Sequence, residues 1–142
     1  MKILTLNTWN VSGPWRERWE LIFDGIREWK PEVLAFQEIF DPAWVAEIEN
    51  HLPGYRPVYP VPESGLALFC CHEILESACY HLPARQGTET GGRFVLFAKI
   101  RIKNTEVGIL NTHLSWRPEE SAIREAQVRE LLAWAELRSG DM

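Results

Sequence analysis

Cysteine is scarce in this sequence, and its pattern excludes one class of folds. There are three cysteines, Cys70, Cys71 and Cys79, an odd number without paired spacing. A disulfide framework of the kind that stabilises small secreted domains is therefore not expected. The N-terminal stretch MKILTLNTWN is too short and too polar for a secretory signal, and no apolar run reaches membrane-spanning length. These absences predict a protein of a reducing compartment, the cytoplasm, without a transmembrane segment.

An excess of basic residues is also missing. Lys and Arg number 15 against 20 Asp and Glu, so the formal net charge is −5. Nucleic-acid-binding domains commonly carry a basic surface, which this overall charge does not supply. A local basic groove can nevertheless exist on an acidic protein, so nucleic acid stays open as a partner. The seven tryptophans are expected to pack mostly into a core.

The hydrophobic pattern predicts a strand–helix–strand unit, then a series of short strands, then a final helix. Five apolar residues between Trp15 and Trp29 recur at helical spacing, and Pro31 ends that helix. Short turns between the later strands favour antiparallel pairing, which predicts an α/β class with a mixed, largely antiparallel sheet. The predicted strands are 3–6, 32–37, 56–61, 66–71, 74–82, 93–102 and 107–112, and the predicted helices are 15–29, 41–49 and 118–137.

Polar side chains close three of the predicted strands. Asn7 follows the first strand, Glu38 follows the second, and His113 follows the last. Strand ends are where α/β folds commonly place their sites. Carboxylate and amide oxygens are hard ligands suited to Mg²⁺ or Mn²⁺, and a nearby histidine can donate to a phosphoryl oxygen. Each residue alone is more often a turn residue, a solvated strand end or a structural histidine, so spacing by itself leaves both interpretations open.

Four short segments, taken in order, resemble a known family. They are KILTLNTWN, PEVLAFQEIFD, GGRFVLFAKI and GILNTHLSW. Together they resemble the N-terminal motifs of the endonuclease/exonuclease/phosphatase superfamily, which has the DNase I-like fold. The resemblance implies the N-terminal portion of a four-layer α/β sandwich. It also implies a hydrolase of phosphate esters in which Asn7 and Glu38 hold Mg²⁺ or Mn²⁺, His113 contacts or protonates the scissile phosphate, and Arg93 lies near that phosphate.

The second half of the family's motif series is not found in the sequence. A complete GD-x-N segment and a terminal Asp-His pair, which supply the base and further metal contacts, are missing. Residues 1–142 are therefore expected to be an incomplete domain that needs a C-terminal half and is inactive alone. Gly140-Asp141-Met142 has two interpretations, the start of GD-x-N or a loop at the helix end. The substrate remains open among nucleic acid, a phospholipid headgroup, a nucleotide and a sugar phosphate.

Two other functional classes are consistent with parts of the sequence. A non-catalytic binding module, or a split partner, would use the same fold without turnover. A small structural zinc domain would draw on Cys71, His72, Cys79 and His81, although their spacing fits no common zinc motif. Buried thiols in strands are the simpler interpretation of those cysteines.

Overall fold

The computed structural model describes residues 1–84 and 92–139. The predicted turn at Gly91 and the two interpretations of Gly140 and Asp141 fall outside these residues. In chain order the elements are β1 (Ile3–Asn7), α1 (Trp15–Trp29), β2 (Val33–Gln37), α2 (Pro42–His51), β3 (Arg56–Val58), a 3₁₀ turn (Pro62–Ser64), β4 (Leu66–Cys70), β5 (Glu73–Leu82), β6 (Arg93–Ile102), β7 (Thr105–Thr112), a 3₁₀ turn (Pro118–Glu120) and α3 (Ser121–Ser139).

The first sheet has the strand order β1-β2-β4-β3. Strands β1 and β2 are parallel, with α1 as the crossover between them, whereas β4 runs antiparallel to both β2 and β3. All five residues of β2 and all five of β4 are buried, as expected for central strands covered on both faces. The expectation of a buried first strand is wrong in part. Strand β1 lies at the sheet edge, and Ile3 is 40% exposed.

The second sheet is an antiparallel meander of β5, β6 and β7. Helices α1 and α2 cover the first sheet, the second sheet lies against its other face, and α3 packs outside the second sheet. Trp134 of α3 stacks on Tyr80 at 5.6 Å and meets Phe97 edge-on at 5.7 Å, measured between ring centroids. This helix–sheet–sheet–helix order confirms the predicted four-layer α/β sandwich.

Two apolar cores follow from the alternation of side chains along β2. Leu34 and Phe36 point toward the helices, and Val33 and Ala35 point toward the second sheet. Four of the seven tryptophans are buried or half-buried, and three are exposed. Trp19 is 1% exposed, Trp15, Trp44 and Trp134 are half-buried, and Trp9, Trp29 and Trp116 are exposed.

Local chemistry explains where the element boundaries differ from the predicted ones. Strand β3 ends at Val58 rather than residue 61, because Pro60 and Pro62 have no N–H group to donate to a sheet. Asp41 is the N-cap of α2 rather than part of it, and its side chain accepts from the N–H of Ala43. Cys71, expected in a strand as a buried thiol, is exposed in the turn after β4, where its thiol donates to the carbonyl of Glu32.

Two glycines offer a matched test of this packing. Gly65 has a φ of +66°, and an added Cβ would lie 2.6 Å from the ring of Phe40, whereas Gly25 in α1 has open space around it. Gly65→Ala should lower the free energy of unfolding by about 1–3 kcal/mol through steric overlap and backbone strain. Gly25→Ala should raise it by about 0.5–1 kcal/mol, because alanine favours the helix. Chemical denaturation measures both, and equal effects of the same sign would contradict the local geometry.

A membrane-spanning helix is not seen in the described part of the chain. No helix within residues 1–84 and 92–139 combines the necessary length with the necessary apolar character. The cytoplasmic location stays a prediction from the cysteine pattern.

Candidate phosphoesterase site

Glu38 is presented by a strained backbone at the end of a buried strand. Its φ of 65° lies in the left-handed region, which a residue with a side chain rarely adopts. The next residue, Ile39, is buried, and its N–H donates to the carbonyl of Gly65 at 2.9 Å. Tyr59 donates its hydroxyl to the carbonyl of Ile39 at 2.8 Å. These contacts hold the backbone so that the Glu38 side chain leaves the sheet, and such strain persists mainly at functional sites.

The hydroxyl of Tyr59 remains a donor over the ordinary pH range. Burial, followed by the nearby carboxylates of Asp41 and Glu63, raises the pKa of Tyr59 to about 12. The hydrogen bond to Ile39 therefore survives at any pH at which the protein would work.

Asn7, Glu38 and His113 come together at one end of the two sheets. The side-chain Nδ2 of Asn7 donates to Oε1 of Glu38 at 2.9 Å and lies 3.4 Å from Nε2 of His113. The Oδ1 of Asn7 accepts from the N–H of Trp9 at 2.9 Å, which fixes the amide in this orientation. In this arrangement Asn7 orients the carboxylate of Glu38. Its predicted role as a direct metal ligand stays a prediction.

Arg93 lies beside the same cluster. It is the first residue of β6, and its Nη1 donates to the backbone carbonyl of His113 at 3.4 Å. The four residues that the sequence singled out are thus neighbours in space, although they come from three separate strand ends and the segment after β7.

A pair of buried amides below the cluster escaped the sequence reasoning. Gln37 immediately precedes Glu38, and Asn111 lies two residues before His113. The Nε2 of Gln37 donates to Oδ1 of Asn111 at 2.6 Å, and the Nδ2 of Asn111 donates to the carbonyls of Phe36 at 2.9 Å and Ala67 at 3.2 Å. A polar residue inside an apolar strand pattern was the available signal, because a buried amide requires partners.

Helix α3 holds the segment that follows His113. Gln127 is fully buried; its Oε1 accepts from the N–H of Ser115 at 3.0 Å, and its Nε2 donates to Oγ of Ser115 at 2.9 Å. Glu120 is 2% exposed and accepts from the N–H of Arg117 at 3.3 Å. Its carboxylate therefore caps the turn instead of facing solvent.

A cleft of about 590 Å³ begins at Glu38 and runs between α1 and α2. Its floor includes the buried side chains of Trp19 and Ile39, and its rim carries Phe40 and Trp44. Its size lies in the range of small-molecule sites. Of the four residues of the cluster, Glu38 lines this cleft, and Asn7, Arg93 and His113 do not.

The donor set fits a hard divalent cation. Glu38 is half-buried and forms no ion pair with any Lys or Arg of residues 1–84 and 92–139. Those residues contain no group of three or more His, Cys, Asp and Glu side chains that could enclose a metal. One carboxylate with water and phosphate oxygens completing the shell is a common arrangement for Mg²⁺. The residues present are therefore suited to Mg²⁺ or Mn²⁺ more than to a closed structural metal.

The four residues of the zinc hypothesis are engaged in other contacts. Nε2 of His72 lies 3.0 Å from Oε1 of Glu32, and Cys71 contacts the carbonyl of that residue. The ring of His81 packs edge-on against Phe94, and Cys79 packs against the core between the sheets. Burial raises the pKa of the Cys79 thiol, which disfavours the thiolate that zinc binding needs.

Comparison with known proteins identifies the family of this chain. The profile of the Endonuclease/Exonuclease/phosphatase family matches residues 8–142. The chain belongs to this family. No curated protein sequence matches it. Membership in the endonuclease/exonuclease/phosphatase family confirms the resemblance drawn from the four sequence segments.

Solved structures of the family share its fold. D. rerio TDP2, complexed with a single-strand DNA product, matches with a TM-score of 0.82 and 18% identity over 96% of this chain and 54% of that one. The human Nocturnin catalytic domain, with a bound sulfate, matches with a TM-score of 0.77 and 23% identity, over 99% of this chain and 60% of that one. ANGEL2, a 2′,3′-cyclic phosphatase in complex with adenosine-2′,3′-vanadate, matches with a TM-score of 0.71 and 20% identity, over 93% of this chain and 46% of that one. The chain thus spans about half the length of these structures.

Proposed function

We propose that this chain provides the metal-binding and phosphate-binding groups of a phosphoric ester hydrolase. The observation that carries the proposal is the cluster in which Asn7 hydrogen-bonds to the backbone-strained Glu38 of the same sheet and lies 3.4 Å from His113, in the segment after the other sheet. A structural cluster would not require a left-handed glutamate, since glycine would serve that backbone position at lower cost. Family membership and the solved structures support the same activity class.

Glu38 is the residue that would hold Mg²⁺ or Mn²⁺, with Asn7 keeping its carboxylate oriented through the 2.9 Å hydrogen bond. When bound, such a cation polarises a phosphoryl oxygen and neutralises developing charge. The cluster contains one carboxylate among the described residues, so the remaining positions around the cation are left to water and to substrate oxygens.

His113 and Arg93 are proposed to act on the phosphoryl group. Nε2 of His113 is 3.4 Å from the Asn7 amide nitrogen, which places its ring edge beside the carboxylate that would hold the metal. A ring N–H there would donate to a phosphoryl oxygen as negative charge builds up in the transition state. The guanidinium of Arg93, next to the backbone of His113, adds a positive charge at the same end of the sheets.

Turnover is proposed to need groups beyond this cluster. In-line attack requires a residue that orients or deprotonates water, and the one carboxylate in the cluster would already be committed to the cation. The substrate is proposed to be a phosphate ester. The single-strand DNA product bound to D. rerio TDP2 supports nucleic acid as the substrate, whereas the net charge of −5 argues against it. The proposal also includes nucleotides, sugar phosphates and phospholipid headgroups as substrates.

The test separates binding from turnover in residues 1–142. Calorimetric titration should show Mg²⁺ binding, and inorganic phosphate should bind more tightly with Mg²⁺ than without it. His113→Ala should weaken phosphate binding while leaving Mg²⁺ affinity nearly unchanged, because the ring faces phosphate rather than cation. Hydrolysis of bis(p-nitrophenyl) phosphate by residues 1–142 should stay at the rate of Mg²⁺ in buffer.

Two results would overturn parts of this proposal. Lack of any Mg²⁺-dependent phosphate binding would refute the site itself. Rapid hydrolysis that His113→Ala abolishes would show that these residues suffice for catalysis and need no further groups. Phosphate binding without turnover is also what a non-catalytic binding module would give, and recovery of hydrolysis in a longer chain decides between the two.

A further inference from the structure

The buried amides of Gln37 and Asn111 lie between the two halves of the candidate site. Gln37 is the last residue of β2 in the first sheet, and Asn111 belongs to β7 in the second sheet. They are 8% and 3% exposed, so water does not replace their hydrogen bonds. Gln37 is joined by a peptide bond to Glu38, and Asn111 is separated from His113 by one residue. Each amide is thus tied to a different functional residue.

The link between the sheets is directional. Asn111 accepts from Gln37 and donates to the carbonyls of Phe36 and Ala67, which are register partners in β2 and β4. One side chain of the second sheet is therefore fixed against the backbone of two strands of the first. The surrounding core between the sheets is made of Val, Leu, Ile and Ala side chains. Apolar contacts of that kind hold sheets together without fixing their offset, because they have no preferred direction.

We propose that Gln37 and Asn111 are positioning residues that set the separation between Glu38 and His113. This inference rests on the proposed function, since it gives the two amides a part in that same site. The direct contact between Asn7 and His113 cannot do this alone, because it is solvent-exposed and 3.4 Å long. A shift of one sheet along the other would break the three hydrogen bonds of Asn111, although Gln37 would keep those to Thr5 and Ala35 in its own sheet. The buried amide of Asn111 therefore allows one offset.

The experiment compares single and paired apolar replacements in residues 1–142. Gln37→Met leaves Oδ1 of Asn111 without its donor. Asn111→Leu removes the three hydrogen bonds of Asn111, while Gln37 keeps those to Thr5 and Ala35, and the double variant removes both amides. Inorganic phosphate, titrated at saturating Mg²⁺, should bind about tenfold or more weakly in both single variants, because it would contact both the cation at Glu38 and the ring of His113, and losing a residue that supports a ligand commonly costs this much. The double variant should recover part of the lost stability but none of the lost phosphate affinity. Side-chain NMR signals of Asn7 and the ring signals of His113 should shift in all three.

Matched controls separate positioning from general damage. Ile48→Ala, on the buried face of α2, should lower stability similarly without changing phosphate affinity or the Asn7 signals. If phosphate affinity follows stability across all four variants, or if it returns in the double variant, the positioning role is refuted. If the wild-type chain binds neither Mg²⁺ nor phosphate while the Asn7 and His113 signals still shift in the Gln37 and Asn111 variants, the proposed hydrolase function fails and the positioning role stands.

Discussion

Glu38→Gln is expected to abolish Mg²⁺ binding at accessible concentrations while leaving the thermal transition nearly unchanged. The substitution keeps the shape of the side chain and removes the charge that a hard cation needs. Losing a residue that only supports a metal ligand costs about 10–100-fold in affinity, and losing the ligand's own charge should cost at least as much. Calorimetric titration with Mg²⁺ measures the affinity, and circular dichroism measures the transition. Unchanged affinity would remove Glu38 from the metal site.

A glycine at the same position separates function from strain. For a residue with a side chain, the left-handed region costs about 1–2 kcal/mol, which glycine avoids. Glycine also loses more conformational entropy on folding, and this offsets about 0.5–1 kcal/mol of the gain. Glu38→Gly should therefore lose metal binding but keep or slightly raise the free energy of unfolding. Lys103→Gly is the control, because Lys103 has a similar φ of 56° in the turn before β7 and is outside the site. It should give the same stability change with wild-type Mg²⁺ affinity. A large loss of stability in Glu38→Gly alone would show that the side chain is structural.

Trp19→Ala should be among the most destabilising single substitutions in this chain. Trp19 is 1% exposed, and its ring contacts those of Phe23, Phe36 and Trp44 at centroid distances of 5.3, 5.4 and 5.3 Å. Removing a buried tryptophan costs about 3–5 kcal/mol, a large part of the roughly 5–15 kcal/mol that stabilises a typical domain. Trp19→Phe provides a milder variant that stays folded enough to measure. Urea denaturation followed by circular dichroism gives both values.

Trp116→Ala is the matched control for that substitution. Trp116 is 69% exposed, and its recorded ring contact is with the guanidinium of the adjacent Arg117, 5.8 Å from the ring centre. An exposed substitution of this kind should stay within about 0.5 kcal/mol of wild type. A loss comparable to that of Trp19→Ala would mean that the segment after His113 is packed more tightly than the structure shows.

The order and type of the elements were readable from the sequence because local patterns determine them. Apolar runs bounded by Gly, Pro and Asn predicted the strands, and helical spacing from Trp15 onward predicted α1. The fate of individual tryptophans was not readable. Trp15, Trp19 and Trp29 occupy positions of the same helical pattern, yet they range from buried to exposed, because α2 covers one part of the helix face and solvent covers the rest. These differences in burial depend on which element of the fold packs against each helix face.

The three strand-end residues of the candidate site could be predicted from the sequence. The contacts that hold them in position could not. Asn7, Glu38 and His113 follow apolar runs, and the family resemblance joined them. The left-handed backbone of Glu38 has no signal in composition, since glutamate is an unfavourable residue for it. The bridge from Gln37 to Asn111 joins residues 74 positions apart, and no periodicity within one strand indicates a partner in another sheet.

The separation along the chain of the residues that meet at the site sets the order in which the molecule assembles. The meander of β5, β6 and β7 closes through contacts between neighbours in sequence, whereas Asn7 meets His113 across 106 positions. Contacts of short range form early in folding and long-range ones late, because closing a long loop costs entropy before any contact rewards it. We therefore expect the site to be completed after the folding transition state. A bound cation would slow the unfolding rate and leave the folding rate nearly unchanged.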